Sequence, residues 1–289
     1  MHYEGHVIRP PSEAGSILLQ ATVGCSHNKC TFCGAYKGER FKIKKDEIIM
    51  ADIEYAAKHF THIRRLFICD GDALIIPHKR LLAILTRIKK RLPQVTRVGV
   101  YANSKAIKMK TEEQLLELKQ HGIGIMYMGL ESGDEVTLQN IKKGATSEKM
   151  ILMGKKARES GVKLSVTVLL GIAGKDRSVI HAEETGRVLS AIDPEYVGAL
   201  SLMLVPGTPM HNDYETGKFE MIKPDDMLRE LRTMIANTDL TRGLFFANHA
   251  SNYLPIKARL PKDKQSAIKS IDDALSGKIG LKPEYMRAL

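Results

Sequence analysis

With 289 residues, of which 43% are hydrophobic, the chain is long enough to bury a large core in one α/β barrel or in two smaller domains. No run approaches the roughly 18 to 20 consecutive apolar residues of a membrane span, and the first residues lack the profile of a signal peptide, so we expect a cytoplasmic protein without membrane association. The net charge of +11 leaves nucleic acid open as a partner. We do not favour it, because basic runs such as 86–91 are typical of solvated helix faces and the chain has no Trp to stack on bases.

Short runs rich in β-branched residues alternate with longer amphipathic runs along the chain. The short runs predict strands at 17–23, 66–69, 97–101, 125–130, 164–170, 197–205 and, as a seventh, 243–247. The longer runs predict helices at 46–59, 78–92, 111–121, 147–160, 179–192 and 225–237. Acidic residues follow the helix starts at Thr111, Ser147 and Pro224, and Gly122 and Gly161 follow two helix ends.

Six repeats of strand followed by helix require parallel pairing with right-handed crossovers. Because a complete barrel needs eight such units, the predicted fold is α/β, a partial (β/α)6 TIM-type barrel with a short C-terminal extension. We expect an N-terminal extension at 1–15, the partial barrel at 16–247, and a C-terminal substrate-side loop and helical tail at 248–289. Chemistry in such a fold gathers at the C-terminal ends of the strands.

Three of the four cysteines, Cys25, Cys30 and Cys33, follow the first predicted strand. Such clustering in a long chain indicates metal ligands rather than a disulfide framework. A cubane iron-sulfur cluster is normally held by four Cys, so three thiolates would leave one iron open to another ligand. There are two alternatives. One is a zinc site that His27 completes, although zinc sites usually have a second, distant pair of ligands, which the chain lacks apart from Cys69. The other is that the three cysteines are core thiols without a metal.

This cysteine loop resembles that of the radical S-adenosylmethionine (SAM) superfamily, whose members have an aromatic residue before the last Cys, as Phe32 is here. The resemblance implies that the three cysteines bind a [4Fe-4S] cluster and that SAM chelates the fourth iron through its amino and carboxylate groups. It also implies reductive cleavage of SAM to a 5′-deoxyadenosyl radical, with an electron donor such as flavodoxin or ferredoxin. The chain departs from the family pattern in having four residues, rather than three, between the first two cysteines.

The segments that follow the later predicted strands resemble motifs of the same family, in the same order along the chain. The resemblance is to the branch of methylthiotransferases, elongator-type proteins and coproporphyrinogen oxidases. In members of this family, the turn that corresponds to Asp70-Gly-Asp72 binds the methionyl amine of SAM, and the segment that corresponds to 129–133 contacts SAM. The turn at 170–174 resembles one that packs on adenine, and 204–209 is another signature of the branch. Residues after the third predicted strand could contact either SAM or substrate. The SAM-binding residues implied by the resemblance are Phe32, Asp70, Gly71, Asp72, Tyr101, Asn103, Glu131, Ser132, Leu170, Gly171 and Pro206.

Uncharged hydrogen-bonding side chains are dense just after the seventh predicted strand. They suit a polar, heterocyclic substrate, although the same residues could simply stabilise the turns of a surface loop. Cys69 could donate a hydrogen atom to a product radical, but an inert buried thiol is the favoured interpretation. The predicted substrate residues are Asn248, His249, Ser251, Asn252 and Tyr253.

The sequence therefore predicts a radical SAM enzyme, a lyase, isomerase or transferase, acting on a small polar substrate. The chain lacks the further cysteines of an auxiliary cluster, and compact lyases that act on the modified base queuine fit its size loosely. Two alternatives stay open: a radical SAM enzyme that modifies tRNA or another nucleic acid, and a non-catalytic iron-sulfur or zinc protein that binds nucleic acid.

Overall fold

The computed structural model of the chain describes residues 1–288, which form two compact units. The first comprises Met1–Asn28, Ala35–Met128 and Lys156–Leu164, and the second comprises Lys29–Gly34, Gly129–Lys155 and the chain from Ser165 onward. The segment bounds predicted after residues 15 and 247 do not coincide with this division and stay a prediction. The last residue of the predicted tail, Leu289, lies outside the described residues.

Parallel strands and the helices between them form the first unit. Its strands are β1 Ile17–Leu19, β2 Thr22–Val23, β3 Lys42–Ile43, β4 Arg65–Ile68, β5 Arg97–Tyr101 and most of β6 Ile123–Glu131. Its helices are α1 Asp46–His59, α2 His78–Arg91, α3 Ser104–Lys108 and α4 Glu112–Gln120. Strands β1, β4, β5 and β6 are neighbours in that order and pair in parallel, whereas β2 and β3 form a separate antiparallel pair.

The core of the first unit follows directly from the sequence pattern. Helix α2 buries Leu81, Ile84, Leu85 and Ile88, which share one face at helical spacing, and β4 contributes the fully buried Phe67. Because β4 and β5 are adjacent and parallel, the segments that follow them, 69–72 and 101–104, leave the sheet at the same edge.

The second unit has the same alternation of strands and helices. In chain order it contains the end of β6, α5 Glu135–Asn140, the first part of α6 Ser147–Glu159, most of β7 Lys163–Leu170, α7 Gly174–Ile192, β8 Tyr196–Ser201, α8 Pro209–Glu215, α9 Pro224–Ala236, β9 Leu244–Ala247, β10 Ile256–Arg259 and α10 Lys264–Leu275. Strands β7, β8 and β9 pair in parallel, and β10 adds to β9 in the antiparallel sense. Helices α7 and α9 pack against each other.

The predicted strand at 17–23 is divided in the structure. Strand β1 ends at Leu19, and the buried Gln20 turns its amide to the carboxylate of Asp70, 2.7 Å away, before β2 begins at Thr22. The strand predicted at 197–205 is also shorter, because β8 ends at Ser201 and the chain then turns through Pro206 and Gly207. Among residues 1–288, no helix combines the length and apolar character needed to cross a bilayer.

Candidate active site

In the first unit, the turn after β4 packs against the first cysteine of the loop. The backbone N–H of Gly71 donates to the carbonyl of Gly24 at 3.2 Å. A Cβ atom added at Gly71 would lie 2.7 Å from the Cβ of Cys25 and 3.0 Å from the ring of Tyr36. This position therefore requires glycine, because any side chain would displace Cys25 or Tyr36.

Asp72 is fully buried and hydrogen-bonded through only one of its two carboxylate oxygens. Its Oδ2 accepts from the hydroxyl of Ser26, at 2.5 Å, and from the side-chain amide of Asn103, at 2.7 Å. Its Oδ1 has no hydrogen-bond partner among the described residues. Burial raises the pKa of Asp72 to about 6, against the lowering effect of the bonds from Ser26 and Asn103. The unpartnered oxygen is a buried hydrogen-bond acceptor that no described side chain or backbone group satisfies.

Asp70 is also buried, in a left-handed backbone conformation with φ of 74°. Its carboxylate accepts from Gln20, at 2.7 Å, and from the hydroxyl of Tyr36, at 3.4 Å. Burial raises the pKa of Asp70 to about 6, whereas the bond from Gln20 lowers it. Both acids of the predicted turn are thus buried carboxylates with polar partners from neighbouring elements.

Cys69 and Tyr101 lie on the strand side of this turn. The Cys69 side chain is completely buried, and burial, followed by the charge of Asp70, raises the pKa of its thiol. Burial also raises the pKa of Tyr101, whose ring packs edge-on against Phe67 with centroids 5.0 Å apart. Asn103 both caps α3, accepting from Ala106 N–H at 2.8 Å, and donates to Asp72. Of the residues predicted after β5, Asn103 therefore contacts the acidic turn directly.

Four residues separate Cys25 from Cys30, and one of them, Asn28, ends the N-terminal segment of the first unit. Asn28 has a left-handed backbone with φ of 42°, and its amide donates to the carbonyl of Tyr36 at 2.8 Å. Asn is one of the few residue types that tolerate this conformation. The longer spacing thus contains a residue in a left-handed conformation whose side chain is held by a hydrogen bond.

The segment Lys29–Gly34 carries Cys30 and Cys33 and belongs to the second unit. Thr31 anchors it through both backbone groups, donating to Ile141 O and accepting from Met210 N–H, each at 3.0 Å. Phe32 packs against a buried apolar cluster of Leu138, Ile141, Ile172, Leu202 and Met210. The aromatic residue before the last cysteine therefore fixes this segment by packing on the unit's core.

The loop after β6 contains Glu131 and Ser132, which have different environments. Glu131 has φ of 66° and pairs with Lys143, Oε1 to Nζ 2.8 Å. Ser132 is fully buried; its hydroxyl accepts from Asp134 N–H at 3.0 Å and lies 2.7 Å from His181 Nδ1. The Ser132 side chain thus faces α7.

The loop after β7 is held by an acid of α9. Gly171, with φ of 80°, donates its backbone N–H to Glu230 Oε1 at 2.6 Å. Leu170 is buried, whereas Pro206 in the turn after β8 is exposed.

The predicted substrate loop divides into supporting and accessible side chains. Ser251 accepts from the backbone N–H of Ser201 at 3.1 Å, and Asn252 bonds the Ser201 hydroxyl and the carbonyl of Ala199, each at 2.8 Å. Asn248 is exposed and His249 is half-buried. Burial, followed by the charge of Lys282, lowers the pKa of His249.

The C-terminal tail covers one side of this loop. Arg287 donates to the carbonyls of Ser251, at 2.6 Å, and Leu202, at 3.0 Å. Its guanidinium carbon lies 4.1 Å from the centre of the Tyr253 ring, and the Tyr253 hydroxyl donates to Glu284 at 2.5 Å. Tyr253 is therefore engaged by the tail, and its pKa is raised by burial to about 12.

Within residues 1–288, no three His, Cys, Asp or Glu side chains are grouped as ligands of one metal ion, and none of the four cysteines forms a disulfide. A four-iron cluster does not require such a group, because each thiolate binds a different iron. A surface cavity of about 480 Å³ lies beside α3 and α4, lined by residues such as Lys108 and Lys156, and includes none of the predicted site residues.

The sequence does not predict that His181 contacts the loop after β6, that Glu230 contacts the loop after β7, or that Arg287 contacts the predicted substrate loop. A histidine and an acid within predicted amphipathic helices looked like ordinary helix residues. In the structure, His181 and Glu230 are distinguished by their burial, and Arg287 by its hydrogen bonds to two backbone carbonyls.

Comparison with known proteins accounts for most of the chain. The family model of the radical SAM superfamily matches residues 19–183. An uncharacterized protein of Methanocaldococcus jannaschii is 25% identical over 258 residues, covering 86% of this chain and 75% of the relative. Biotin synthase of Buchnera aphidicola subsp. Schizaphis graminum is 25% identical over 211 residues, covering 72% of this chain and 59% of the synthase.

Solved structures share the fold. Coproporphyrinogen III oxidase from Escherichia coli, a radical SAM enzyme, superposes with a TM-score of 0.56 at 13% identity, over 76% of this chain and 51% of the oxidase. Methylornithine synthase superposes with a TM-score of 0.53 at 16% identity, over 78% of this chain and 63% of the synthase. These likenesses confirm the predicted α/β fold of the partial TIM-barrel type. The chain spans only about half to two thirds of these solved proteins and of biotin synthase.

Proposed function

The chain belongs to the radical SAM superfamily, and on that basis we propose that it abstracts hydrogen from a small polar substrate. In this proposal Asp72 contributes to SAM binding, and Asn248 and His249 bind the substrate. It is an enzyme that uses a [4Fe-4S] cluster and SAM, with an external electron donor. When bound, the cluster supplies the electron that cleaves SAM reductively to a 5′-deoxyadenosyl radical. The observation that carries the proposal is the buried Oδ1 of Asp72, an acceptor without a partner among the described residues.

The residues present fit both cofactors. Cys25, Cys30 and Cys33 would hold the cluster through three thiolates, leaving one iron for SAM. Gly71 lets the main chain pack directly on Cys25, with no room for a Cβ atom. Asp72 would accept a hydrogen bond from the methionyl amine, and Ser26 and Asn103 hold its carboxylate in place.

Two side chains of the loop after β9 are proposed to recognise the substrate. The Nδ1 atom of His249 accepts from the backbone N–H of Ser251 at 3.1 Å, which assigns the ring proton to Nε2. The lowered pKa keeps the ring neutral at pH 7. His249 Nε2 would then donate to a substrate carbonyl or ring nitrogen, and Asn248 would both donate and accept.

This pair of groups suits a neutral heterocycle with adjacent donor and acceptor atoms. A lyase acting on a modified free base such as queuine is the form of the proposal that we would test first. Cys69 is proposed as an inert core thiol rather than a hydrogen-atom donor, because it is fully buried and its pKa is raised.

The test is substrate-dependent formation of 5′-deoxyadenosine by anaerobically reconstituted protein, using free bases including queuine, a low-molecular-weight metabolite fraction, and purified tRNA in separate reactions. We expect stimulation by a small molecule. Asn248→Ala and His249→Ala should each raise KM about tenfold, the effect of one lost hydrogen bond, without changing substrate-free cleavage of SAM. Asn212→Ala, which alters an exposed Asn outside the loop, is the matched control.

Stimulation by tRNA alone would contradict the small-substrate proposal and favour a nucleic-acid substrate. An unchanged KM in both loop variants would contradict the assignment of Asn248 and His249.

A further inference from the structure

A chain of buried polar groups connects the loop after β6 with the loop after β7. Ser132 Oγ lies 2.7 Å from His181 Nδ1, and His181 Nε2 lies 3.4 Å from Glu230 Oε1. The same Glu230 oxygen accepts from the backbone N–H of Gly171 at 2.6 Å. His181 of α7 and Glu230 of α9 therefore stand between Ser132 and Gly171.

The hydrogen-bond directions along this chain are mutually consistent. Ser132 Oγ accepts from Asp134 N–H, so its own hydrogen can point to His181 Nδ1. That bond leaves the ring proton on Nε2, the nitrogen that faces the Glu230 carboxylate. At 3.4 Å the approach falls short of a well-formed hydrogen bond, and Nε2 has no other hydrogen-bond partner among residues 1–288.

Helix α7 holds the β6 loop at further points on the same face. Arg177 forms a two-pronged ion pair with Asp134, both distances being 2.8 Å, and Thr185 accepts from Gly133 N–H at 2.8 Å. A Cβ atom at Gly133 would lie 2.3 Å from the carbonyl oxygen of Glu184, so the loop backbone packs directly on the helix. The β6 loop thus packs on α7, whose His181 faces Glu230, the residue that accepts from Gly171 N–H.

The burial of this pair argues against an incidental role. The side chains of His181 and Glu230 are both 0% exposed, and burying ionisable groups is costly unless they are paired. Other buried residues of the same helices, such as Ala182, Leu189 and Leu231, are apolar, and the buried Thr185 of α7 accepts from the β6 loop. The polar pair interrupts this apolar packing at the place where two loops meet the helices.

We propose that His181 and Glu230 are positioning residues for SAM, which fix the backbone at Glu131–Gly133 relative to the backbone at Leu170–Gly171. The inference rests on the proposed function, because it takes both loops as SAM contacts. Neither residue touches SAM or the reacting atoms. Preorganised loops bind their ligand without the entropic cost of ordering, so the pair acts on SAM affinity.

The experiment measures SAM binding to reconstituted protein without reductant, together with hydrogen exchange of the two loops. His181→Gln removes the nitrogen that faces Ser132, Glu230→Ala removes the acceptor of Gly171 N–H, and Glu230→Gln keeps both size and acceptor. Thr238→Val is the matched control, because it deletes one buried hydrogen bond, from Thr238 to Met234 O at 2.7 Å, away from both loops.

We expect His181→Gln and Glu230→Ala each to weaken SAM binding about tenfold and to speed exchange at residues 131–133 and 170–172. The double variant should be less than 100-fold weaker, because both substitutions break one connection. Glu230→Gln should stay within about threefold of the unaltered protein, and Thr238→Val should lower only the melting temperature.

A lower melting temperature in His181→Gln and Glu230→Ala, with SAM affinity and loop exchange unchanged, would overturn the positioning role while leaving the proposed function intact. Unaltered protein that binds no SAM would overturn both. Altered affinity with fully additive single effects would contradict the connection between the loops.

Discussion

At the scale of single residues, the central group is Asp72, whose buried carboxylate has one satisfied and one unsatisfied oxygen. Asp72→Asn should weaken SAM binding by about 10- to 100-fold, because a hydrogen bond to a charged group contributes about 1.5–3 kcal/mol. Asp52→Asn is the matched control, since Asp52 is equally buried in the same unit but bonds the N-terminal residues. Equal SAM affinity in the unaltered protein and Asp72→Asn would contradict the role of this carboxylate.

The raised pKa of Asp72 also predicts a pH dependence. The carboxylate accepts best when ionised, and its pKa before SAM binds is about 6. SAM affinity should therefore be constant above pH 7 and fall below pH 6, approaching tenfold per pH unit, as protonation competes with binding. In Asp72→Asn this fall should be smaller, leaving the part due to Asp70, whose pKa is also about 6. A binding curve of the unaltered protein that stays flat between pH 5 and pH 7 would exclude ionised Asp72 as the acceptor.

Gly71 tests the packing of the acidic turn on the cysteine loop. Gly71→Ala would place a Cβ atom 2.7 Å from the Cβ and 3.1 Å from the Cα of Cys25, so the backbone of the loop has to move. We expect lower iron content after reconstitution, measured by iron and protein assay, and full iron content in Gly280→Ala, where no atom lies within 4 Å of the added Cβ. Normal iron content in Gly71→Ala would show that the Cys25 position tolerates this shift.

The sequence predicts which turns carry the acids, the glycine and the cysteines, because strand ends can be located from periodicity. It does not predict that Ser132 faces a buried His181, or that Ser251 and Asn252 bond to β8, since these contacts depend on residues about 50 positions away in the chain. For Ser251 and Asn252 the structure supplies the supporting contacts that a turn-stabilising role requires. Their direct contact with substrate stays a prediction.

At the scale of elements, the C-terminal tail and the loop after β9 act as one assembly. Arg287 reaches Ser251 O, Leu202 O and the Tyr253 hydroxyl with one planar guanidinium. Arg287→Ala should therefore loosen the loop and raise the rate of hydrogen exchange at residues 250–253 at least tenfold. Arg287→Lys should restore slow exchange only in part, because an ammonium group lacks the planar set of donors of a guanidinium. Arg229→Ala, which breaks an exposed pair with Asp226, should leave exchange there unchanged.

If exchange at residues 250–253 is the same in Arg287→Ala as in the unaltered protein, other contacts hold the loop. The hydrogen bond and ring contact between Arg287 and Tyr253 would then contribute little to holding the loop.

Elements with strong periodicity are the ones that the sequence predicts well. The bounds of α1 and β5 agree with the prediction, and the capping pattern at Thr111 forms a complete capping box with Gln114. Strand β10 is not predicted, although its residues Ile256–Arg259 alternate apolar with charged side chains as a half-buried strand does, because the run is only four residues long. Helix α7 begins at Gly174, five residues before the predicted start, since the glycine-rich turn was expected to remain outside it.

At the scale of the whole molecule, the cysteine loop contributes to both compact units: Cys25 belongs to the first, and Cys30 and Cys33 belong to the second. Each half of the loop is anchored within its own unit, by the Gly71 turn in the first and by Thr31 and Phe32 in the second. The order of strands and helices predicts the fold class. The division into units is not visible in the sequence, because the units are assembled from separate stretches of chain.

The most direct test of the account is whether reconstituted, reduced protein cleaves SAM. Anaerobic protein with iron and sulfide restored is treated with dithionite and SAM, and 5′-deoxyadenosine and methionine are quantified. We expect the two products in equal amounts from the unaltered protein and neither from Cys30→Ala, which loses one proposed ligand of the cluster. Iron-loaded protein that shows the absorbance of a four-iron cluster yet leaves SAM intact under strong reductant would contradict the account.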